Sequence, residues 1–410
     1  MFENEPMGDH LLSGLKVVEW GSFISAPFCG KLMAELGAEV IKIEPPVAGD
    51  EARHYGPFPN DIPDSERSGL FLYLNTHKLG ITLEPNTATG RDLFTKLIRD
   101  ADIFVQNYPN RLVKELKLDF RSLKKINPKL IMTSISPYGQ TGPYRHWKGY
   151  DINCGALGGI SATIGYPERE PISCPLFQGD YQAGLCAAIA TMIALFERER
   201  TNRGLHVDLS ETECWATFHI GVGMQAFISE GRVRRRSGHR SLHRPFPDEV
   251  LPCKDGYVCI DTPQNRQWLR FLELMGNPEW AKDPIFKNRI KTTDEYGDQA
   301  DAYLNEWLMK HTKEEIFKLC QDHKVPAAPI RTVDEVMEEP HLKDRDYFVE
   351  ANHPYAGRIK YPGACYQFSL TPALRDGRAP CLGEHNEKVY CKRLGYSQAD
   401  LTVLKRAGVI

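Results

Sequence analysis

One carboxylate stands where it could do chemistry. Asp180 lies in the segment 178–184, Gln-Gly-Asp-Tyr-Gln-Ala-Gly, where an extended stretch gives way to a helix of small residues. A carboxylate at a helix start commonly caps the free backbone N–H groups, but it can also serve as a nucleophile in group transfer. In the second role, Gly179 and Gly184 would let a bulky acyl group approach, and nearby N–H groups could stabilise an oxyanion. These residues alone leave both roles open.

Motifs for several other chemistries are missing. A dinucleotide site needs G-x-G-x-x-G in the first strand–helix turn, so that the backbone can approach the pyrophosphate. That turn, 21–27, has one glycine, although Glu44 stands where a ribose-binding acid could sit. The phosphate loop and the motifs G-x-S-x-G and H-E-x-x-H are also absent. His239 and His243 are four residues apart among arginines, with no acidic third ligand nearby, which favours exposed loop histidines over a metal site.

The composition bounds the class of protein. A chain of 410 residues predicts two or three domains. Apolar residues make up 41% and charged residues 26%, near the globular average, and the net charge of −3 gives no electrostatic reason for a nucleic acid or membrane partner. The longest largely apolar run, Leu185–Phe196, is shorter than the ~20 residues of a spanning helix, which predicts a buried core helix.

Cysteine usage and the N-terminus favour a cytoplasmic protein. The eleven cysteines form no C-x-x-C pair and no zinc-like spacing with histidine, which is typical of small buried residues in a reducing compartment. The acidic residues 1–6 lack the basic and then apolar pattern of a secretory signal. We therefore expect a cytoplasmic protein with no bound metal.

Strand and helix patterns alternate in the segments that must position Asp180. This order predicts an α/β fold with a parallel, doubly wound, Rossmann-like sheet. The Gly- and Ala-rich segment 155–165 indicates backbone that passes close to another group. The predicted strands are 15–20, 38–44, 80–83, 102–107, 130–135 and 205–209, and the predicted helices are 29–36, 89–101, 112–126 and 180–200.

The second half of the chain predicts a smaller domain. The basic, turn-rich stretch Arg232–Arg244 precedes it, and a Pro-rich stretch at 325–330 reads as a hinge behind it. A strand at 255–260 and helices at 264–275, 298–310 and 313–322 are its predicted elements, and a last short helix is predicted near 397–406 in the tail that follows.

A series of short motifs recurs in a characteristic order. The motifs are Leu-Lys-Val-Val-Glu-Trp at 15–20, Leu-Gly-Ala-Glu-Val-Ile-Lys-Ile-Glu at 36–44, Gln-Asn-Tyr at 106–108, Ser-Pro-Tyr-Gly-Gln-Thr-Gly-Pro at 136–143, Gly-Tyr-Asp at 149–151, Gly-Asp at 179–180, Arg-Gly-Leu-His-Val-Asp at 203–208 and Pro-Cys-Leu-Gly-Glu-His at 380–385. Together they resemble the family III CoA-transferases, which include formyl-CoA:oxalate and carnitine CoA-transferases and the related α-methylacyl-CoA racemases. The resemblance covers nearly the whole chain.

This resemblance implies a reaction and its nucleophile. Asp180 would attack an acyl-CoA thioester to form a mixed anhydride, and the CoA thiolate would then convert it to an aspartyl-CoA thioester. An acceptor carboxylate would finally take up the CoA. Coenzyme A and acyl-CoA would be substrates, with no permanently bound cofactor and no metal.

A CoA site follows from the same resemblance. Phe23 and Ile24 match the turn that contacts pantetheine, and Leu83, Asn107 and Tyr108 match positions at the nucleotide end. Ile24 stands where the family often has a gating glutamine, which favours a more apolar acyl pocket.

Two further positions match the family, and one departs from it. Lys148 matches a phosphate-contacting lysine and Tyr150 an acyl-pocket tyrosine; a solvated surface lysine and a core tyrosine are the ordinary alternatives. Pro45 stands where some members carry an arginine, so Lys42 and Arg53 are the nearest cations.

Members of this family form interlocked homodimers of open-ring chains. For this chain, the partner would be a second copy or a homologous subunit. The stretch Arg232–Arg244 would lie near the partner's site, where it could bind a substrate carboxylate or only solvate a loop. The expected parts are a large domain at 1–210 completed by 355–410, a linker at 211–245, a small domain at 246–325 and a return linker at 326–354.

Three other functions are weaker alternatives. A racemase needs two bases on opposite faces of the α-carbon, and racemases have a His-Asp pair where this chain has Tyr150-Asp151. Tyrosine, with an ordinary pKa near ~10, is a poor base at neutral pH. A non-catalytic subunit should have lost its nucleophile, and a dehydrogenase should have the missing glycines. For the transferase, the Arg- and His-rich linker favours a dicarboxylate such as succinate, and the apolar 23–24 turn favours an aromatic or branched acceptor.

Overall fold

Two compact units make up the part of the chain that the computed structural model describes, residues 10–410 apart from the side chain of Val222. The large unit combines the residues up to Ile160 with Cys174–Met224 and Lys343–Ile410, and the small unit combines Ser161–Ser173 and Gln225–Leu342. The acidic segment 1–6 lies outside the described residues. The domain and linker bounds predicted above stay predictions.

The described strands form three sheets. They are β1 (Lys16–Trp20), β2 (Glu39–Glu44), β3 (Leu79–Thr82), β4 (Ile103–Gln106), β5 (Ile131–Ser136), β6 (His206–Ser210), β7 (Asp248–Cys253), β8 (Gly256–Asp261), β9 (Ala327–Pro329), β10 (Phe348–His353) and β11 (Gly357–Pro362).

The helices alternate with these strands along the chain, and most of them are short. They are α1 (Ser25–Glu35), α2 (Gly69–Leu74), α3 (Ala88–Arg99), α4 (Asn110–Glu115), α5 (Phe120–Leu123), α6 (Asp151–Leu157), α7 (Gln178–Thr201), α8 (Glu211–Trp215), α9 (Gly221–Glu230), α10 (Asn265–Leu274), α11 (Arg289–Leu308), α12 (Lys313–Asp322), α13 (Val333–Glu338), α14 (Pro340–Asp344) and α15 (Gln398–Arg406), with π-helical turns at Ala216–Ile220 and Glu387–Arg393.

A six-stranded parallel sheet is the centre of the large unit. Its order is β3-β2-β1-β4-β5-β6, and Val18 of β1 pairs with Ile41 on one side and Phe104 on the other. Helix α3 packs Phe94 against one face of the sheet. Helices α1 and α7 pack against the other face, for example through Met33 and Ala187. The predicted α/β fold with a parallel central sheet is therefore confirmed. The carboxyl ends of the strands meet at one edge, which is where doubly wound sheets bind ligands.

The C-terminal segment belongs to this large unit because it completes the edge beside β3. Thr82 donates its N–H to Asn386 Oδ1 at 2.9 Å, and Tyr390 donates its hydroxyl to the Thr82 carbonyl at 2.7 Å. Tyr390 is fully buried. An edge strand would otherwise leave these backbone groups exposed.

The small unit has its own antiparallel sheet, in the order β7-β8-β9. Its core contains Phe246, Trp268, Phe271 and Leu304, from β7's entry, α10 and α11. The predicted Pro-rich hinge at 325–330 contains β9, which pairs with β8 as an edge strand, a position that tolerates proline.

One helix prediction was wrong and another was incomplete, each for a local reason. The helix expected over 112–126 is two short helices, because Lys117 has left-handed backbone (φ 59°) and Asp119 caps α5 by accepting the N–H of Ser122. Helix α11 begins at Arg289, after Asn288 accepts the N–H of Lys291, and is kinked by non-helical backbone at Tyr296 (φ −125°), so the helix predicted from 298 is the part after the kink and the part before it was missed.

Helix α7 has two different faces. It is long and apolar enough to cross a membrane by length and composition, a test that core helices also pass. One face, with Ala183, Ala187 and Ala194, is buried against α1, β5 and β6. The other face exposes a row of large side chains, so the expected buried core helix is buried on one side only. The exposed row is Leu185, Ile189, Ile193 and Phe196.

Candidate active site

Asp180 lies in the first turn of α7 and does not cap it. The N-cap position is Phe177, whose backbone is left-handed (φ 53°), as is that of Leu176 (φ 62°). The N-cap role left open by the sequence is therefore excluded. Left-handed backbone at two bulky residues is costly and is typical of functional sites.

A buried carboxylate holds the backbone immediately before Asp180. Asp151, the first residue of α6, accepts the N–H of Gly179 at 2.9 Å and the indole N–H of Trp215 at 3.2 Å on the same oxygen, Oδ1. Asp151 is 8% exposed and Trp215 1%. These bonds join α6, the start of α7 and the end of α8, and they fix where Asp180 begins its turn.

The glycines around Asp180 serve helix packing. A Cβ at Gly179 would lie 2.1 Å from Trp215 Nε1 and 2.2 Å from Asp151 Oδ1, and a Cβ at Gly184 would lie 2.6 Å from the Ser25 carbonyl oxygen. Protein atoms thus occupy the space that the sequence suggested for an acyl group. Gly158, in the segment expected to approach another group closely, also packs against Trp215: a Cβ at Gly158 would lie 2.6 Å from the Trp215 Cβ.

Three carboxyl groups are close enough to interact here: Asp180, Asp151 and Glu211, the first residue of α8. Burial and the charge of Asp151 raise the pKa of Asp180 well above its usual range. Burial and the charges of both aspartates raise the pKa of Glu211. Like charges in a poorly solvated place disfavour full ionisation. The cluster therefore stabilises any state in which Asp180 loses its charge, such as an acylated one.

Three aromatic rings lie beside this turn. Phe23 makes edge-to-face contacts with Phe177 and Tyr55, at 5.0 and 5.3 Å between ring centroids, and Tyr55 meets Phe177 at 5.5 Å. Phe23 has left-handed backbone (φ 65°). The turn at Phe23, predicted to contact pantetheine, is thus brought to Phe177, the N-cap residue of the helix that carries Asp180.

A buried ionic network holds that turn. Asp50 accepts the N–H of Phe23 at 2.8 Å through Oδ1 and pairs with Lys42 at 2.6 Å through Oδ2. Lys42 also pairs with Glu19 at 3.1 Å, and Arg53 pairs with Glu44. Lys42 and Arg53 are completely buried, so the two cations considered for a phosphate are used inside the protein. Glu44, considered for a ribose, is used as well.

The nucleotide-end candidates are part of the framework. Asn107 follows β4, and its side-chain amide binds the 21–25 loop. Its Oδ1 accepts the N–H of Ser22 at 2.9 Å, and its Nδ2 donates to the Ser22 carbonyl at 2.8 Å. Tyr108 stacks on Trp20 at 4.2 Å. Leu83 is 1% exposed and lies in the sheet core.

The other candidates differ sharply in exposure. Ile24 is completely buried, so a ligand at this turn would meet its backbone or require it to move. Lys148 is exposed. Tyr150 precedes α6 and is 75% exposed, which excludes the alternative of a core tyrosine. Asp180, Phe23 and the residues that support them are brought together at the carboxyl edge of the sheet.

Sequence reasoning missed Glu211, Trp215, Tyr55, Phe177 and Asp50. Glu211 is an acidic residue directly after a predicted strand, which was the one available signal, because strand ends gather at one edge. The others gave none, since their roles depend on contacts with residues far away in the chain, such as those of Asp50 and Phe177 with Phe23 and of Trp215 with Asp151.

Within the described residues, two clusters of side chains contain atoms that could bind a metal: Glu66 with His353 and Cys381, and His239 with Glu249 and Asp301. In the first, His353 Nδ1 accepts the N–H groups of Tyr355 and Ala356, at 3.4 and 3.3 Å, so the proton is on Nε2, which faces Cys381 Sγ at 3.9 Å. A metal would need that nitrogen's lone pair. The third member, Glu66, already pairs with an arginine at 3.0 Å.

The second group corrects an expectation. His239 is not isolated from acids: Asp301, from α11, lies 3.1 Å from Nε2, and Glu249 lies 3.9 Å from it. Arg240 pairs with both carboxylates. A guanidinium inside the ligand set repels a divalent cation, so this group does not favour a metal site.

Comparison with known proteins gives relatives over nearly the full length. The sequence profile of CoA-transferase family III matches residues 12–386. A succinyl-CoA–D-citramalate CoA-transferase of Chloroflexus aurantiacus is 32% identical, over 97% of this chain and 98% of its own. The beta subunit of a succinyl-CoA–L-malate CoA-transferase from the same organism is 29% identical, over 97% and 98%. The crystal structure of a CAIB/BAIF family protein from Brucella suis is similar with a TM-score of 0.83 at 30% identity, covering 94% of this chain and 100% of that one.

Gly179→Ala should impair activity strongly, because its Cβ would collide with Trp215 and Asp151 and displace the turn that holds Asp180. A displacement of about 1 Å at a reacting group can cost about 10²-fold in rate. Gly221→Ala is the matched control, since a Cβ there meets nothing within 4 Å. Turnover and circular dichroism of both variants measure this; an active, folded Gly179→Ala protein would contradict it.

Proposed function

The chain belongs to CoA-transferase family III, and from that premise we propose that it moves CoA from succinyl-CoA to a second carboxylic acid through Asp180. The observation that carries the proposal is the position of Asp180 in the first turn of α7, beside the Phe23 turn and two further carboxyl groups. Relatives named for succinyl-CoA support the donor.

The proposed reaction exchanges one thioester for another. An Asp180 oxygen attacks the succinyl carbonyl carbon, the C–S bond breaks, and CoA leaves as a thiolate. The thiolate attacks the Asp180 carbonyl of the mixed anhydride, which releases succinate and leaves an aspartyl-CoA thioester. The acceptor carboxylate attacks this thioester and the thiolate leaves again. The thiolate then attacks the acceptor's carbonyl and restores the Asp180 carboxylate.

The site suits this series of reaction steps because none of them needs a cation or an external proton. Asp180 attacks only when ionised, and each acylation removes its negative charge from beside Asp151. The charge moves to the thiolate, away from the carboxyl cluster. Relief of this repulsion favours the covalent intermediates.

The acceptor is proposed as a small dicarboxylate or an aromatic or branched acid. The Phe23, Tyr55 and Phe177 rings offer an apolar surface next to Asp180. In the Arg232–Arg244 stretch, Arg240 and Arg244 pair with acids of the small unit, whereas Arg234 and Arg235 are exposed. The last two are the residues of this stretch that could bind a distal carboxylate.

Asp180→Asn should lower transfer by more than tenfold, equivalent to about 1.4 kcal/mol, because the amide cannot form the anhydride. Succinyl-CoA is incubated with a panel of acids, and the new acyl-CoA is measured by mass spectrometry. Hydroxylamine should label Asp180 only in the presence of acyl-CoA. Asp92→Asn, on the outer surface of α3, should keep the wild-type rate. An active Asp180→Asn protein would refute the nucleophile.

No α-proton exchange should accompany transfer, because Tyr150 stands where racemases have their histidine and is 75% exposed. The test is a chiral 2-methylacyl-CoA incubated with the enzyme in deuterated water. Mass spectrometry should find no deuterium at the α-carbon. Uptake at the rate of turnover would assign the protein to the racemase branch.

A dimer is proposed as the working form, with a second copy or a homologous subunit, such as the beta subunit named among the relatives. The row of apolar side chains on α7 is 45 to 78% exposed at its four residues and runs along one helix face. Such an exposed apolar surface is typical of a protein–protein interface. The small unit is inserted between segments of the large one, as interlocked open rings require.

Unfolding should therefore be coupled to dissociation of the dimer. The unfolding midpoint of the chain purified alone should rise with concentration, and dilution to nanomolar levels should give no folded monomer, because folding and association are then coupled. Ile193→Glu, at 66% exposure, should lower that midpoint, whereas Val403→Glu on α15, at 64% exposure, should not. A compact monomer with full secondary structure in sedimentation would refute interlocking.

A further inference from the structure

Glu211 is a buried acid that the transfer reaction does not use. It begins α8 directly after β6, it is 4% exposed, and within the described chain its Oε1 atom has no hydrogen-bond partner. A buried carboxylate without a partner is costly. Its place against α6 and α7 therefore requires a compensating interaction.

That interaction is with Asp151. Glu211 lies four residues before Trp215 on α8, on the same face of the helix, and the Trp215 indole reaches Asp151 at 3.2 Å. A side-chain hydrogen bond between Glu211 and Asp151 contributes to the pKa shifts of both acids. Two ionised carboxylates have only acceptors, so they can bond only when one of them carries a proton. Burial raises the pKa of Asp151, but the N–H groups of Gly179 and Trp215 that Oδ1 accepts, and the bond from Glu211, act in the opposite direction and favour the charged form of Asp151.

The surroundings assign the proton to Glu211. The titratable groups that interact with Glu211 are Asp151 and Cys154 from α6, Asp180 from α7, Cys214 from α8 and Tyr138 from the loop after β5, and none of them is a cation. Burial, followed by the charges of Asp180 and Asp151, raises the pKa of Glu211 well above the ordinary carboxyl value.

We propose that Glu211 is a positioning residue: it stays protonated during turnover and donates its proton to Asp151, so that Asp151 holds the Gly179 N–H and the Trp215 indole in place. The inference rests on the proposed function of Asp180. In this arrangement the pair carries one negative charge behind the nucleophile. A second charge, from ionised Glu211, would break the Glu211–Asp151 bond and push the first turn of α7 away.

Glu211→Gln is the diagnostic variant because its amide can still donate to Asp151 but cannot ionise. Activity of the wild type should fall on the alkaline side as Glu211 loses its proton, and Glu211→Gln should keep its activity to higher pH. At neutral pH, Glu211→Gln should stay within about tenfold of the wild type, and Glu211→Ala, which cannot donate, should lose more than about tenfold. Exposed Glu213→Gln on the same helix should reproduce the wild-type profile.

Stability gives a readout that does not need an active enzyme. A carboxyl group with a higher pKa in the folded chain binds its proton more tightly there, so the free energy of unfolding falls as pH rises from the ordinary carboxyl pKa toward the raised one. Glu211→Gln should show a smaller fall than the wild type or Glu213→Gln. In the infrared, Glu211→Gln should also remove one protonated-carboxyl C=O band.

The two proposals fail separately. An alkaline limb unchanged in Glu211→Gln, together with an unchanged infrared band and stability profile, would overturn the role of Glu211 while leaving Asp180 as the nucleophile. An active Asp180→Asn protein would overturn the transfer mechanism, and the infrared and stability measurements would still report whether Glu211 holds the proton.

Discussion

The bond from the Gly179 N–H to Asp151 Oδ1 is the interaction on which the arrangement of the site depends. Asp180 is the next residue, so its direction follows from the position of this one amide. The same oxygen accepts the Trp215 indole N–H, which connects the end of α8 to the start of α7. Only glycine fits at 179, because the space of a Cβ is taken by both acceptor and donor. A strained backbone at Leu176 and Phe177 brings the chain into this position.

Charge is distributed very unevenly around this point. Below the Phe23 turn, buried Lys42, Arg53 and their carboxylate partners neutralise one another and make the turn rigid. Around Asp180 the titratable neighbours are acids, and burial keeps water from screening them. The first environment holds the turn in place. In the proposed reaction, the second favours acylation of Asp180, because acylation removes a charge that the site does not solvate well.

Helix α7 connects the chemistry to the proposed assembly. Its first turn carries Asp180, its alanine face packs on the sheet, and its opposite face exposes Ile189, Ile193 and Phe196. A partner that covers this face would fix the same helix that presents the nucleophile. Small residues allow α7 to approach α1 closely: a Cβ at Gly184 would lie only 2.6 Å from the Ser25 carbonyl oxygen.

The sequence by itself determined the α/β class, the strands of the parallel sheet and, through ordered motifs, the family, and it identified Asp180 as the residue proposed to be the nucleophile. These properties are local, because strand and helix periods and short motifs are read within about ten residues. Only the tertiary structure decided that Phe177 and not Asp180 is the N-cap. It also showed that Gly179 and Gly184 allow close packing against neighbouring protein atoms, and that Asn107 binds the 21–25 loop. It also brought Glu211 and Trp215 to Asp151. These contacts join residues far apart in the chain, and folding of the whole sheet, rather than any local preference, brings them together.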